Sequence, residues 1–290
     1  MEPIALAIIG GSGLYDFPGL LDKRENAMDT PFGKPSAPVI TGILEGKRVA
    51  FLARHGLGHQ LSPSEVNYRA NIFALKLLGV RNIVSVNACG SLREDIAPGD
   101  LVIPDQLFDN TRCRERTFFG DGIVAHVSVA EPFCKRLGFQ LIDTIKKTSS
   151  KKVHIGGTFI IIEGPRFSTK AESNVFRSWG MSIIGMTASP EAFLAREAEI
   201  CYSAMAHVTD YDVWHTSESP VTVEMVIKVL LENTSMAQKV IRQLISVINP
   251  DPECTCTSAL DSTLITNKDY IPAETHKKLD ILIGKYLQKP

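Results

Sequence analysis

Ile4-Ala5-Leu6-Ala7-Ile8-Ile9, followed by Gly10-Gly11-Ser12-Gly13, sets the pattern for the chain: a short apolar run stopped by small residues. A run without polar alternation suits a strand buried on both faces of a sheet. The same shape recurs. Arg48 to Ala53 leads into Arg54-His55-Gly56, Asn82 to Val86 into Asn87-Ala88-Cys89-Gly90, and Thr158 to Ile162 into Glu163-Gly164-Pro165-Arg166-Phe167-Ser168. Ser182 to Ile184 leads into Gly185-Met186-Thr187, and Cys201 to Val208 into Thr209-Asp210-Tyr211-Asp212.

Helical patterns fill the intervals. Ser62-Pro63-Ser64-Glu65 offers an N-cap with proline in the first turn, predicting a helix to about Leu78 that Gly79 closes. Pro190-Glu191 predicts another, with Phe193, Leu194 and Ala198 at apolar spacing. Thr222 to Ile248 predicts a long one carrying Val226, Val229, Leu230, Met236, Val240, Ile241 and Leu244. Alternating strands and helices define an α/β class around a central sheet, in one domain. Asn249-Pro250-Asp251-Pro252 breaks the long helix. It divides residues 1–248 from a tail, 249–290, expected to be helical and packed on the same domain or on a neighbouring subunit.

At 290 residues, 44% hydrophobic and 22% charged, the composition is that of an ordinary globular enzyme. A net charge of −1 and no basic run interleaved with aromatics argue against nucleic acid as a partner. No apolar stretch reaches the roughly 18–20 residues of a membrane span. Met1-Glu2-Pro3 carries no basic segment ahead of the first apolar run, so that run reads as a core strand and the expected location is cytoplasmic.

Of six cysteines, Cys89, Cys113, Cys134 and Cys201 are scattered, and Cys254-Thr255-Cys256 is a close pair. Metal knuckles need a second pair at similar spacing, and the sequence offers none, so no metal is expected. The scattered cysteines read as small buried hydrophobes. A redox or stabilising role for the Cys-Thr-Cys pair stays open.

Loops at strand ends collect ligand-binding groups in α/β sheets, and the unusual polar residues gather there. Gly10-Gly11-Ser12-Gly13 can turn backbone N–H groups onto an anion, although alone it is also an ordinary strand-ending turn. It lacks the third glycine of the dinucleotide fingerprint and the Lys-Ser/Thr of a Walker loop. Arg54-His55 offers a planar fork suited to phosphate oxygens, and the adjacent imidazole adds another donor. His55 and His59 at this spacing could suggest a metal, but neighbouring glycines and the lack of a following carboxylate argue against it. The turn Asn87 to Arg93 does not resemble a nucleophile elbow, and Cys89 has no histidine nearby in sequence to activate it. Asp210 and Asp212 point to the same side if the segment stays extended, and paired acids serve acid/base work or simply line a solvated turn.

Taken together, these groups resemble the trimeric purine nucleoside phosphorylase family, and most closely its branch acting on 5′-methylthioadenosine. The likeness is carried by Asp29-Thr30-Pro31-Phe32-Gly33-Lys34-Pro35-Ser36, Ala88-Cys89-Gly90-Ser91-Leu92-Arg93-Glu94, Ala130-Glu131-Pro132-Phe133-Cys134, Ile162 to Ser168 and Thr209-Asp210-Tyr211-Asp212. It covers roughly residues 4–247. The resemblance implies a central mixed, twisted, partly barrel-like sheet flanked by helices, and cleavage of 5′-methylthioadenosine by phosphate to adenine and 5-methylthioribose 1-phosphate.

It also implies roles. Ser12, Arg54, His55, Ala88 and Thr187 would bind phosphate, the co-substrate, with no cofactor. Phe167, Ser168, Asp210 and Asp212 would face the purine, Phe167 as a stacking surface. Met186 would lie under the ribose, and His59, Val223 and Val226 would line the methylthio pocket. His126 resembles a residue lent by a neighbouring subunit of a homotrimer or homohexamer. Asp210, if protonated by a raised pKa, would donate to N7 of the leaving adenine. Asn87 stands where a threonine is frequent in that branch, and Gly185 where an asparagine is frequent before Met-Thr. A 6-oxopurine or methylthioinosine phosphorylase is the alternative within the family. A nucleoside hydrolase would not need the anion-binding groups, and a non-catalytic scaffold would not need Arg54, His55 or Asp210.

Overall fold

The computed structural model describes residues 3–11, 14, 17–215 and 223–287, without the side chains of 223–233. Its strands are β1 (Leu6–Gly10), β2 (Leu21–Asn26), β3 (Val39–Leu44), β4 (Lys47–Ala53), β5 (Asn82–Ser91), β6 (Leu101–Ile103), β7 (Gln106–Asn110), β8 (Val153–Ile155), β9 (Thr158–Ile162), β10 (Ile183–Gly185) and β11 (Cys201–Asp210). Its helices are α1 (Tyr68–Leu77), α2 (Lys135–Thr148), α3 (Lys170–Ser178), α4 (Ala188–Glu197), α5 (Val223–Val247) and α6 (Ala273–Leu287).

β1 shows why the runs are apolar at every position. Ala7 and Ile9 pack into one core with Ile72 of α1 and Leu194 of α4, while Leu6 and Ile8 pack into a second with Leu137 of α2 and Val240 and Leu244 of α5. Both faces of the strand are covered by helices, so neither can be polar.

β5 is the hub of the sheet. It runs parallel to β1 and β11 and meets β10 antiparallel at its far end. The main path is β2-β3-β4-β1-β5-β10-β9-β7, with a branch through β11 to β6 and β8. No pairing among the described residues joins β7 back to β2, so this mixed sheet stays open. Two readings from sequence are corrected here. The stretch after Val86 is not a turn: β5 continues to Ser91, because Gly90 and Ser91 pair with Ile184 and Ile183 of β10. The helix expected from Ser62 starts at Tyr68 with Asn67 as its cap. Ser62 instead closes its own turn, its hydroxyl donating to the Glu65 carboxylate at 2.6 Å.

β11 pairs with β5 residue for residue from Cys201↔Asn82 to Val208↔Cys89, then slips, so that Asp210 sits opposite Gly90. That irregularity re-aims the strand end at the point where the two carboxylates begin. In the tail, Leu260, Leu279, Leu282 and Ile283 join the core that contains Ile72 and Leu194. Among the described residues no helix is long and apolar enough to cross a membrane.

Candidate active site

Arg54 follows β4 directly, and its backbone N–H donates to Gly10 O at 3.0 Å, tying the ends of β4 and β1 together. The residue is 2% exposed. The guanidinium grips Glu191 in the first turn of α4, Nε to Oε2 at 2.8 Å and Nη2 to Oε1 at 3.1 Å. Nη2 also donates to Ser85 Oγ at 2.5 Å and Nη1 to Val86 O at 3.3 Å. Burial works to lower the Arg54 pKa, but the Glu191 carboxylate outweighs it and the net displacement is upward. The sequence suggested a fork open to phosphate. The structure turns most of that fork onto Glu191, so what Arg54 can offer a ligand is limited to Nη1.

From Arg54 a directed chain of hydrogen bonds runs to the start of α4. Ser85 Oγ accepts from Arg54 and donates to Asn87 Oδ1 at 2.9 Å, and Asn87 Nδ2 donates to Thr187 Oγ1 at 2.9 Å. Thr187 is the N-cap residue of α4 yet makes no side-chain capping bond. Its oxygen is engaged as an acceptor by Asn87, which leaves its proton to be donated onward. Asn87, noted as unusual in the sequence, spans two hydroxyls with separate atoms, its Oδ1 accepting from Ser85 and its Nδ2 donating to Thr187. Gly185, the other departure, also has a physical reason: a Cβ there would sit 2.8 Å from the Phe159 ring.

His55 is buried, with Nδ1 2.9 Å from Leu61 O. A carbonyl only accepts, so Nδ1 carries the proton and Nε2 is an acceptor in the neutral ring. Burial, and then the Arg54 charge, push the His55 pKa down to about 4. The imidazole is thus neutral near pH 7 and accepts where the sequence suggested a donor. His59 is exposed and stacks on it at 4.3 Å.

Across β5 lie the two acids. Asp210 is buried; its Oδ2 accepts from Thr209 Oγ1 at 2.5 Å and its Oδ1 from Asp212 N at 2.7 Å. Asp212 is not extended as expected but has φ 53° in the turn after β11, so the pair is brought together by a bend. Burial raises the Asp212 pKa, and its Oδ2 is buried with no hydrogen-bond partner. Gly90 makes room for both acids: a Cβ there would lie 2.9 Å from Asp210 Oδ1 and 3.3 Å from Asp212 Cβ. Ala88, two residues earlier on β5, is half-buried between this pair and the Asn87–Thr187 chain.

Phe167 is 40% exposed, as a stacking surface must be, and Ser168 is buried with its hydroxyl unpartnered. Met186 follows β10, its carbonyl accepting from Arg114 Nη1 at 2.7 Å. Arg114 also donates to Ser189 O at 2.6 Å and Glu163 O at 2.7 Å. It thereby fixes the ends of β9 and β10 and the start of α4 relative to one another. Nothing in Arg112-Cys113-Arg114-Glu115-Arg116 distinguishes Arg114 from its charged neighbours, and Glu191 looked only like a helix-opening acid. His126 is exposed, and its backbone N–H donates to Thr263 O at 2.9 Å. Ser12 and the side chains of Val223 and Val226 lie outside the described residues.

A chain of buried polar groups from Arg54 to Thr187 thus stands across β5 from the Asp210–Asp212 carboxylate pair. The family model of the phosphorylase superfamily matches residues 5–246, and the chain belongs to that superfamily. Within it, the chain is similar to the S-methyl-5′-thioadenosine phosphorylase of Geobacter sulfurreducens, 52% identical over 288 residues that cover 99% of this chain and 100% of the relative. Among solved structures it is similar to a methylthioadenosine phosphorylase from an Antarctic soil metagenomic library, with TM-score 0.92 and 48% identity over 97% of this chain and 99% of the other. It is also similar to the methylthioadenosine phosphorylase of Schistosoma mansoni in complex with adenine, with TM-score 0.82 and 39% identity over 89% and 96%.

Proposed function

We propose that the chain cleaves 5′-methylthioadenosine with inorganic phosphate, giving adenine and 5-methylthioribose 1-phosphate. The observation that carries this reading is the placement of the Arg54–Ser85–Asn87–Thr187 chain and the Asp210–Asp212 pair on either side of Ala88 and Gly90. Phosphate sits against Arg54 Nη1, the Thr187 hydroxyl and the Ala88 backbone, and Ser12 is assigned to phosphate as well. The neutral His55 accepts the hydroxyl proton of hydrogen phosphate at Nε2 as a hydrogen bond, which aims an anionic oxygen at C1′.

As the bond from C1′ to N9 breaks, the sugar gains oxocarbenium character and the purine takes the electron pair. Phosphate stabilises that cation and forms the new C1′–O bond. The Asp210–Asp212 pair supplies a proton to N7, and burial, which raises the Asp212 pKa, favours the protonated form of a carboxyl in the pair. The other carboxylate accepts from the 6-amino group, whereas a 6-oxo purine would set oxygen against oxygen. Phe167 stacks on the base, Ser168 supplies a hydroxyl, and Met186 underlies the ribose.

His59, Val223 and Val226 line the methylthio pocket. His126 reaches a neighbouring subunit's pocket in a homotrimer or homohexamer. The same reading places the chain in the cytosol. Initial rates with methylthioadenosine, adenosine, methylthioinosine and inosine test the assignment. Methylthioadenosine should be cleaved fastest, and a preference for either 6-oxo compound would overturn the account of the base site.

A further inference from the structure

Four of the six cysteines meet in space although the sequence keeps them apart. Cys134 caps the N-terminus of α2, Cys201 opens β11, and Cys254 and Cys256 flank Thr255 at the start of the tail. Their Sγ atoms all lie within 4.8 Å of one another, with Cys134–Cys254 at 3.6 Å and Cys254–Cys256 at 3.5 Å. The second pair that a metal knuckle requires, absent from the sequence pattern, is supplied by the fold.

We propose that Cys134, Cys201, Cys254 and Cys256 bind one tetrahedral, thiophilic divalent cation, with zinc the best match. Zinc–sulfur bonds of about 2.3 Å at tetrahedral angles give sulfur–sulfur edges of about 3.8 Å. The Cys134–Cys254 and Cys254–Cys256 spacings fall just short of that edge, and no pair is farther apart than 4.8 Å. A disulfide would draw two sulfurs to about 2.05 Å and gives no reason for all four to be mutually close.

The surroundings point the same way independently. Arg196 Nη1 donates to Cys256 Sγ at 3.4 Å, and Leu137 N at the start of α2 donates to Cys134 Sγ at 3.5 Å. The Arg136 guanidinium stands against Cys201, while its Nε is buried without a well-formed hydrogen bond. Disulfides and thiols are neutral and need no such company. A four-thiolate site with a divalent cation carries a formal charge of −2, which two guanidiniums and a helix N-terminus offset. Binding releases four thiol protons for one cation and moves no electrons, so no oxidant is required.

With Cys134, Cys201 and Cys256 buried, the four ligands close the site, as in structural rather than catalytic centres. It lies at the opposite end of β11 from Asp210, so its role is to staple the tail to the body. The tail then runs on to pair Leu264 with Ala125 and Thr263 with His126.

The test uses the full chain purified under reducing conditions without chelator. Elemental analysis should give about one zinc per chain, and cobalt loading of the stripped protein should produce the charge-transfer and visible bands of a tetrahedral thiolate site. The double variant Cys254→Ser/Cys256→Ser should lose both signals, and Cys113→Ser, at an exposed cysteine outside the cluster, should keep them. Should the double variant fail to fold, the wild-type cobalt spectrum decides alone. Reduced wild-type protein that takes up no cobalt overturns the proposal, as does a native mass showing two disulfides and no metal.

Discussion

Glu191 and Arg54 form an ion pair whose side chains are 0% and 3% exposed, and separating them should reveal how far the phosphate end depends on it. Arg54→Ala leaves Glu191 with the Tyr202 hydroxyl, which donates to Oε1 at 2.7 Å, and with little else. Glu191→Ala leaves a guanidinium buried against Ser85 and a backbone carbonyl. Breaking a buried pair from either side costs about 3–5 kcal/mol, because an uncompensated charge remains. Independent effects would sum to about 6–10 kcal/mol in the double variant, comparable to the whole stability of a domain. The double variant removes both charges and should cost less than that sum by about 2–3 kcal/mol. Urea unfolding followed by far-UV circular dichroism gives all four corners of the cycle, with Arg54→Gln and Glu191→Gln as milder substitutes should an alanine variant not fold. Additivity within about 0.5 kcal/mol would refute the reasoning.

Asn87→Ala should raise KM for phosphate about tenfold, the equivalent of about 1.4 kcal/mol, and leave KM for the nucleoside unchanged; an unaltered phosphate KM would remove Asn87 from the chain. Asp210→Asn should cut kcat about 10²–10⁴-fold with methylthioadenosine while unfolding at a similar urea concentration, so wild-type turnover in that variant would sink the proton-transfer role. Glu197 is buried, and burial lifts its pKa from 4.5 to about 7 against hydrogen bonds from Phe118 N and Thr117 Oγ1. The folded state therefore holds a proton the unfolded state gives up, so this contribution is complete below pH 4.5 and is lost as pH rises towards 7. The stability of Glu197→Gln relative to wild type should rise through that window by up to about 1.4 kcal/mol per pH unit, and a flat difference would contradict the shift. His55 and His207 act in the opposite sense. Their pKa values are lowered from 6.5 to about 4, so their contributions are lost as pH falls from 6.5 towards 4, and the comparison with Glu197→Gln cancels them.

The strands buried on both faces, β1, β4, β9 and β11, were legible in sequence because double burial demands apolar residues at every position. β2 was not: Leu21-Asp22-Lys23-Arg24-Glu25-Asn26 is an exposed edge that, among the described residues, pairs only with β3, so no burial marks its composition. β5 ran past its expected end since Ala88 and Gly90 look like turn residues, whereas here their small size admits Asp210 and Asp212. The acids and Arg54-His55 could be found because they stand at strand ends. Glu191, Asn87 as a bridge and Arg114 could not, since their roles rest on Arg54, Thr187 and Met186, which lie 137, 100 and 72 positions away, a relation that no local spacing encodes. The cysteine cluster failed for the same reason, with its ligands drawn from three separate segments.

The most direct test of phosphorolysis is adenine release from 5′-methylthioadenosine in phosphate-free buffer and at saturating phosphate, with the sugar product followed by phosphorus NMR. The account predicts release that depends on phosphate and one molecule of 5-methylthioribose 1-phosphate for every adenine. Equal rates without phosphate, with free 5-methylthioribose as the product, would contradict it.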